Sequence, residues 1–189
     1  MSTKLKQSAV KMIAIAAVIM ALGLIGKVEA ANPGTVDLKV TVAPALSISV
    51  GTATYSFGNL ATNETAFSTG AIPVSNDSFG RTEDYRINGA NSTNWTISNS
   101  TNGADTFYLR ALLNTTAPTL GAFTGVFSTV DANIENMSAA NHGGNQNGNN
   151  VASGSSRNLW FMLGTPTSTS FTTEQSITVT LTAADAGTF

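Results

Sequence analysis

The feature that most constrains this chain is a two-residue alternation of apolar and hydroxyl-bearing or charged residues that recurs along its length. It is cleanest near the C-terminus, where Ile177, Val179 and Leu181 alternate with Thr178, Thr180 and Thr182. A period of two places one set of side chains on each face of an extended strand, so such a run fits a strand with one face buried and one wet. The same pattern appears at Val36, Leu38, Val40 and Val42 and at Leu46, Ile48 and Val50, while Leu159, Phe161 and Leu163 alternate with Trp160 and Met162. Thr106–Leu113 is more continuously apolar, which predicts a strand covered on both faces. Thr54–Phe57, Ala71–Val74, Tyr85–Asn88, Trp95–Ser98 and the group Phe123, Val126 and Phe127 add shorter strand signals, with a hairpin expected around Asn88-Gly89.

Turn residues separate these runs every ten or so positions, and no segment is long enough for a helical crossover between parallel strands. Asp131–Ala140 is the one stretch with the character of a helical turn. The expected fold is all-β: a single β-sandwich, immunoglobulin-like or jelly-roll, of about nine to ten short strands. Residues 140–156, dominated by Gly, Asn and Ser, offer almost nothing to bury and read as a mobile loop within it.

The N-terminus carries a different signal. Lys4, Lys6 and Lys11 precede an apolar run, Met12–Ile25, and Val28-Glu29-Ala30 supplies the small or apolar positions of a cleavage site. The expectation is a signal peptide over 1–30 and a mature domain over 31–189, secreted to the extracellular space or cell surface. The alternative, an uncleaved anchor, is disfavoured because a spanning helix needs about 20 apolar residues. Cleavage would remove four of the nine basic residues and one of the eleven acidic ones, leaving five and ten. Lys39 would be the last lysine. Such a chain cannot build the basic face that nucleic acid requires, and an anionic membrane would repel it.

The chain has no cysteine. Disulfides, thiol catalysis, thiolate metal sites and lipoprotein anchoring are therefore excluded, and burial and strand ladders must hold the fold. No cofactor is expected. The single histidine, His142, falls in the Gly/Asn-rich segment and reads as a solvated loop residue. Glu83, Asp84 and Asp105 are the best carboxylates for a glycosidase pair. Neighbouring strand residues face opposite ways, however, so Glu83 and Asp84 are not expected to pair. Calcium held by loop carbonyls with Asp77, Glu83, Asp84 or Asp105 is the metal reading considered, against plain solvation. Seven Asn-x-Ser/Thr triplets, at Asn63, Asn76, Asn91, Asn94, Asn99, Asn114 and Asn136, are candidate glycosylation acceptors in a chain whose composition also yields such triplets by chance.

The plan resembles two groups of secreted bacterial and archaeal β-sandwich proteins. Thr35–Val42, Phe57-Gly58-Asn59-Leu60 and Ile72-Pro73-Val74-Ser75-Asn76 are similar to segments of fibre and bundling-pilus subunits of biofilm matrices. Asn94-Trp95-Thr96-Ile97 and Leu159-Trp160 are similar to parts of cell-surface domains with two Trp-x-Leu motifs, although the final strand here lacks the second tryptophan. The resemblance implies a surface role.

Three functions follow as expectations. The first is a structural or adhesive surface subunit, not an enzyme, whose partners are copies of itself, other surface proteins or polysaccharide. In it, Val36, Leu38, Val40 and Val42 are the candidate assembly strand, which either adds to a neighbour's sheet edge or pairs within its own sheet as an ordinary first strand. The second is a carbohydrate-binding module using Trp95 and Trp160, although packing in the core is the expected place for both rings. The third is an extracellular hydrolase built on clustered carboxylates.

Overall fold

The computed structural model describes residues 39–40, 45–123 and 128–188. The expected signal segment and most of Val36–Val42 lie outside the described residues; of the latter, Lys39 and Val40 are within them and exposed.

Among the described residues ten strands form two sheets. They are β1 (Ile48–Val50), β2 (Thr65–Phe67), β3 (Ile72–Asn76), β4 (Glu83–Gly89), β5 (Thr96–Ser98), β6 (Thr106–Leu113), β7 (Thr129–Val130), β8 (Glu135–Asn136), β9 (Ser156–Gly164) and β10 (Val179–Asp185). The larger sheet runs β1-β3-β9-β6-β5, with β2 also beside β9 and β7 also beside β6; the smaller runs β10-β4-β8. All pairings are antiparallel except β5 with β6.

The alternation explains the core. Phe107, Leu109, Ala111 and Leu113 of β6, and Leu159, Phe161 and Leu163 of β9, point from the large sheet toward Tyr85 and Ile87 of β4. Ile72, Val74, Val130, Met137 and Val151 close the same cluster. The intervening residues of β6 and β9 face the opposite way, where Leu112, Trp160 and Met162 pack under Phe123, Phe67 and Ala122. Both faces of β6 and β9 are thus covered, as their continuous apolar sequence requires. Arg110 helps fasten the outer layer by donating from Nη1 to the Phe123 carbonyl at 2.8 Å.

The fold departs from expectation in four places. Glu135–Asn136 is a strand inside the stretch expected to be a helical turn, because Arg86 and Ile87 offer it a free edge of β4. Tyr85–Asn88 and Trp95–Ser98 form no hairpin: β4 and β5 belong to different sheets. Thr54–Phe57 is irregular, and its Tyr55 and Phe57 rings meet edge to face at 5.0 Å.

The fourth departure is the Gly/Asn-rich segment 140–156, which packs against the body. His142 is 2% exposed, and Gly148 and Val151 are buried. The segment's main chain is bonded throughout: His142 O and Gly144 N to Leu113, Gly148 to Tyr85 and Met137, and Val151 to Glu83 in both directions. Glycine is what permits this approach, because a Cβ on Gly148 would lie 2.8 Å from the Met137 oxygen and one on Gly143 would lie 2.6 Å from the Ser138 oxygen. A segment without large side chains saturates its backbone instead, which a composition count does not register.

Candidate assembly edge

The smaller sheet ends on β10. Among the described residues β10 pairs with β4 alone, over all seven of its residues. The direction of its free hydrogen-bonding groups follows from one bond. Ala90 N donates to Thr178 O at 2.9 Å, so Thr178 and every second residue after it bond toward β4. Val179, Leu181 and Ala183 then turn their amides and carbonyls to the open side. The partner strand agrees: Tyr85, opposite Ala183, uses its own N–H and C=O on Gly148 and Met137, away from β10.

The residues with outward main-chain groups have inward side chains. Val179 and Leu181 are only partly buried, resting on the main core with Ile48, Tyr55, Phe57, Leu60 and Ile177. Strand β1, with Ile48, pairs only with β3 among the described residues, and it approaches β10 on the same side of the body. The result is an open edge with a half-covered apolar floor. Proteins usually protect such an edge with lysine, proline or a bulge. The sequence Val179-Thr180-Leu181-Thr182-Ala183-Ala184-Asp185 has neither lysine nor proline, and its register with β4 is unbroken.

Buried carboxylates hold both flanks of this edge. Asp84 accepts from Asn150 N at 2.6 Å and from Gly187 N at 2.8 Å, fixing the chain just past β10. Glu83 Oε1 accepts from Ser47 N at 2.8 Å, fixing the chain just before β1. Its other oxygen and the Tyr85 hydroxyl are buried and have no hydrogen-bond partner among the described residues. Burial, then the nearby Glu83 charge, pushes the Tyr85 hydroxyl well above the usual phenol range.

Glu83 and Asp84 are therefore occupied as clamps. Asp105 lies in the other sheet's turn before β6, and its N–H donates to Ser168 O. Among the described residues no three acidic or histidine side chains are grouped to hold a metal. His142 is the clearest correction to the sequence reading: it is buried, and Nδ1 lies 3.1 Å from the Ala111 carbonyl, which fixes the proton on that nitrogen.

Both tryptophans are engaged. Trp160 is 7% exposed and donates to Asn114 O at 2.8 Å. Trp95 packs near Phe107 and donates to Thr169 Oγ1 at 3.1 Å. A shallow groove beside β5 is lined by Asn91, Thr96, Asn99, Thr106 and Asp131 and carries no aromatic ring.

The seven sequons differ sharply. Asn76 is fully buried; its amide donates to Arg81 O at 2.8 Å and Val151 O at 2.7 Å, so a glycan there would break the fold. This excludes Asn76 as an acceptor in the folded chain. Asn114 spends its amide on Thr116 O, and Asn94 and Asn136 are half-buried. Asn63, Asn91 and Asn99 are exposed.

The fold thus defines an all-β, cysteine-free body consistent with a sandwich, in which the outer side of β10 pairs with no strand among the described residues. No family model, curated protein or solved structure matches this chain.

Proposed function

We propose that this chain is an exported structural subunit of an extracellular or cell-surface assembly, and that its copies are joined by strand addition. Val36–Val42 of one copy, the arm, runs along β10 of the next. It contributes main-chain hydrogen bonds to Val179, Leu181 and Ala183 and apolar side chains to the floor beneath them. The observation that supports this reading is the outer edge of β10, which among the described residues pairs with no strand, carries neither lysine nor proline and has only a partial apolar cover. The arm is seven residues long, as is β10. It has the alternating pattern that such an edge accepts.

The test is Ala183→Pro. Its N–H faces the open side, so the substitution removes a donor from the edge while the bonds to β4 remain. The expected result is a folded chain whose sedimentation shows monomer where the unaltered processed chain forms polymers. Polymers of unchanged stability would refute strand addition at β10.

Carbohydrate binding finds less support. Trp95 and Trp160 are committed to packing and hydrogen bonds, and the groove beside β5 offers nothing for a sugar ring to stack on.

A further inference from the structure

The loop between β3 and β4 carries the most exposed large apolar side chain in the described body. Phe79 is 90% exposed. Around it the loop is fastened unusually well. Asn76 Oδ1 accepts from the Ser78 N–H at 3.0 Å and from the Ser78 hydroxyl, while the Asn76 amide holds Arg81 O at 2.8 Å. Gly80 N donates to Ser153 Oγ at 3.1 Å, and that hydroxyl donates to Ser78 O. Gly80 has φ +71, which glycine adopts without strain and which lets the chain turn directly behind the ring. Arg81 then pairs with Asp185 at the end of β10.

A rigid loop holding up an unburied aromatic ring has the character of an interface anchor, because its conformational entropy is already spent before contact. Its position identifies the partner. Asp77 N donates to Ser47 O at 3.1 Å, so the loop is bonded to the point at which the N-terminal arm joins the body. Only residues 43–46 separate Ser47 from the arm, so Val42 lies five residue steps from Ser47, a reach of about 18 Å at most at roughly 3.6 Å per residue. A neighbour that receives the arm along its β10 must therefore lie close to the Phe79 loop of the donor.

We infer that Phe79 is a second contact between consecutive subunits, seating on the copy that receives the arm. This inference rests on the strand-addition reading. The partner is a second copy of this chain, and the contact is apolar. Strand pairing by itself is nearly sequence-blind, whereas a ring held on a fastened loop adds a second fixed point of contact, so Phe79 sets the angle between neighbours.

The test compares the processed chain with Phe79→Ser, Phe79→Leu and a deletion of residues 35–42. Sedimentation measures the concentration for half-assembly, and trypsin cleavage after Lys39 reports whether the arm is engaged. The melting transition of each variant is recorded alongside; the ring buries almost nothing in the monomer, so Phe79→Ser should melt with the unaltered chain. Phe79→Ser should raise the half-assembly concentration at least tenfold while Lys39 stays protected in the polymers that remain. Phe79→Leu should retain most of the affinity. Assembly of Phe79→Ser at the unaltered concentration overturns the contact and leaves strand addition standing. So does a loss confined to polysaccharide binding. Unchanged assembly of the deletion variant, or an unaltered chain that stays monomeric at every concentration, overturns both.

Discussion

The ring of Tyr108 occupies the space that a side chain on Gly164 would fill. The two residues are cross-strand partners in β6 and β9, and a Cβ on Gly164 would fall 2.0 Å from the Tyr108 ring. The ring is held from above by Arg110, 5.3 Å from its centroid, and its hydroxyl bonds Thr65 Oγ1 at 3.0 Å. A glycine that would otherwise leave a strand bare is thus covered by its neighbour. Gly164→Ala should displace the ring, break the Thr65 bond and cost about 1–3 kcal/mol, in the range of overpacking. Urea unfolding of the processed chain would measure it, and Tyr108→Ala combined with Gly164→Ala should lose much of the penalty by removing the clash.

Burial holds the His142 imidazole below its ordinary pKa, and the Ala111 carbonyl offsets only part of that shift. The folded chain therefore binds this proton less readily than the unfolded chain, whose histidine titrates near 6.5. Stability from this residue is complete above about pH 6.5. It declines as pH falls below that value, with a limiting slope of about 1.4 kcal/mol per unit, until the folded value is reached. Melting curves between pH 7.5 and 5.5 should show the decline, and His142→Asn should flatten it.

Ser47 depends on one oxygen. Glu83→Ala would leave the Ser47 N–H, at the half-buried start of β1, without its acceptor and should cost about 1–3 kcal/mol. Glu83→Gln keeps a carbonyl oxygen to accept from Ser47 N and should be far milder. Limited proteolysis between residues 40 and 50 should accelerate in the alanine variant and barely change in the glutamine one.

Glycopeptide analysis would sort the sequons. If the producing cell modifies asparagine, occupancy should be found at Asn63, Asn91 or Asn99 and be absent at Asn76, whose amide is fully committed inside.

Among the described residues, the strands over Ile48–Val50, Thr106–Leu113, Ser156–Gly164 and Val179–Asp185 were legible from a one-sided period of two or from a continuous run covered on both faces. Ile72, Phe107, Leu159 and Leu181 could be placed in a core from spacing alone. The segment from Ala140 to Ser156 could not, because its stability comes from backbone bonds and glycine contacts that leave no apolar signature. Composition likewise hid the burial of His142. The proposed assembly edge was half visible: the alternation of residues 36–42 read as a strand signal, but the outward main chain of β10 is a property of the sheet order. Phe79 gave a weaker clue. Asn76-Asp77-Ser78 followed by Gly80 is a turn signature, and an aromatic residue inside a turn has no core to enter.

The twin bonds of the Asn76 amide also give chemical ageing a definite address. Asparagine slowly hydrolyses to aspartate, a change of nearly identical shape. At Asn99, in an exposed bend, the conversion should pass unnoticed. At Asn76 it would set a carboxylate oxygen against the carbonyls of Arg81 and Val151, so that attraction becomes repulsion at two points. The predicted sign of an aged sample is a protein of the same mass to within one dalton that has lost the set of its Phe79 loop, a defect visible as faster cleavage after Arg81.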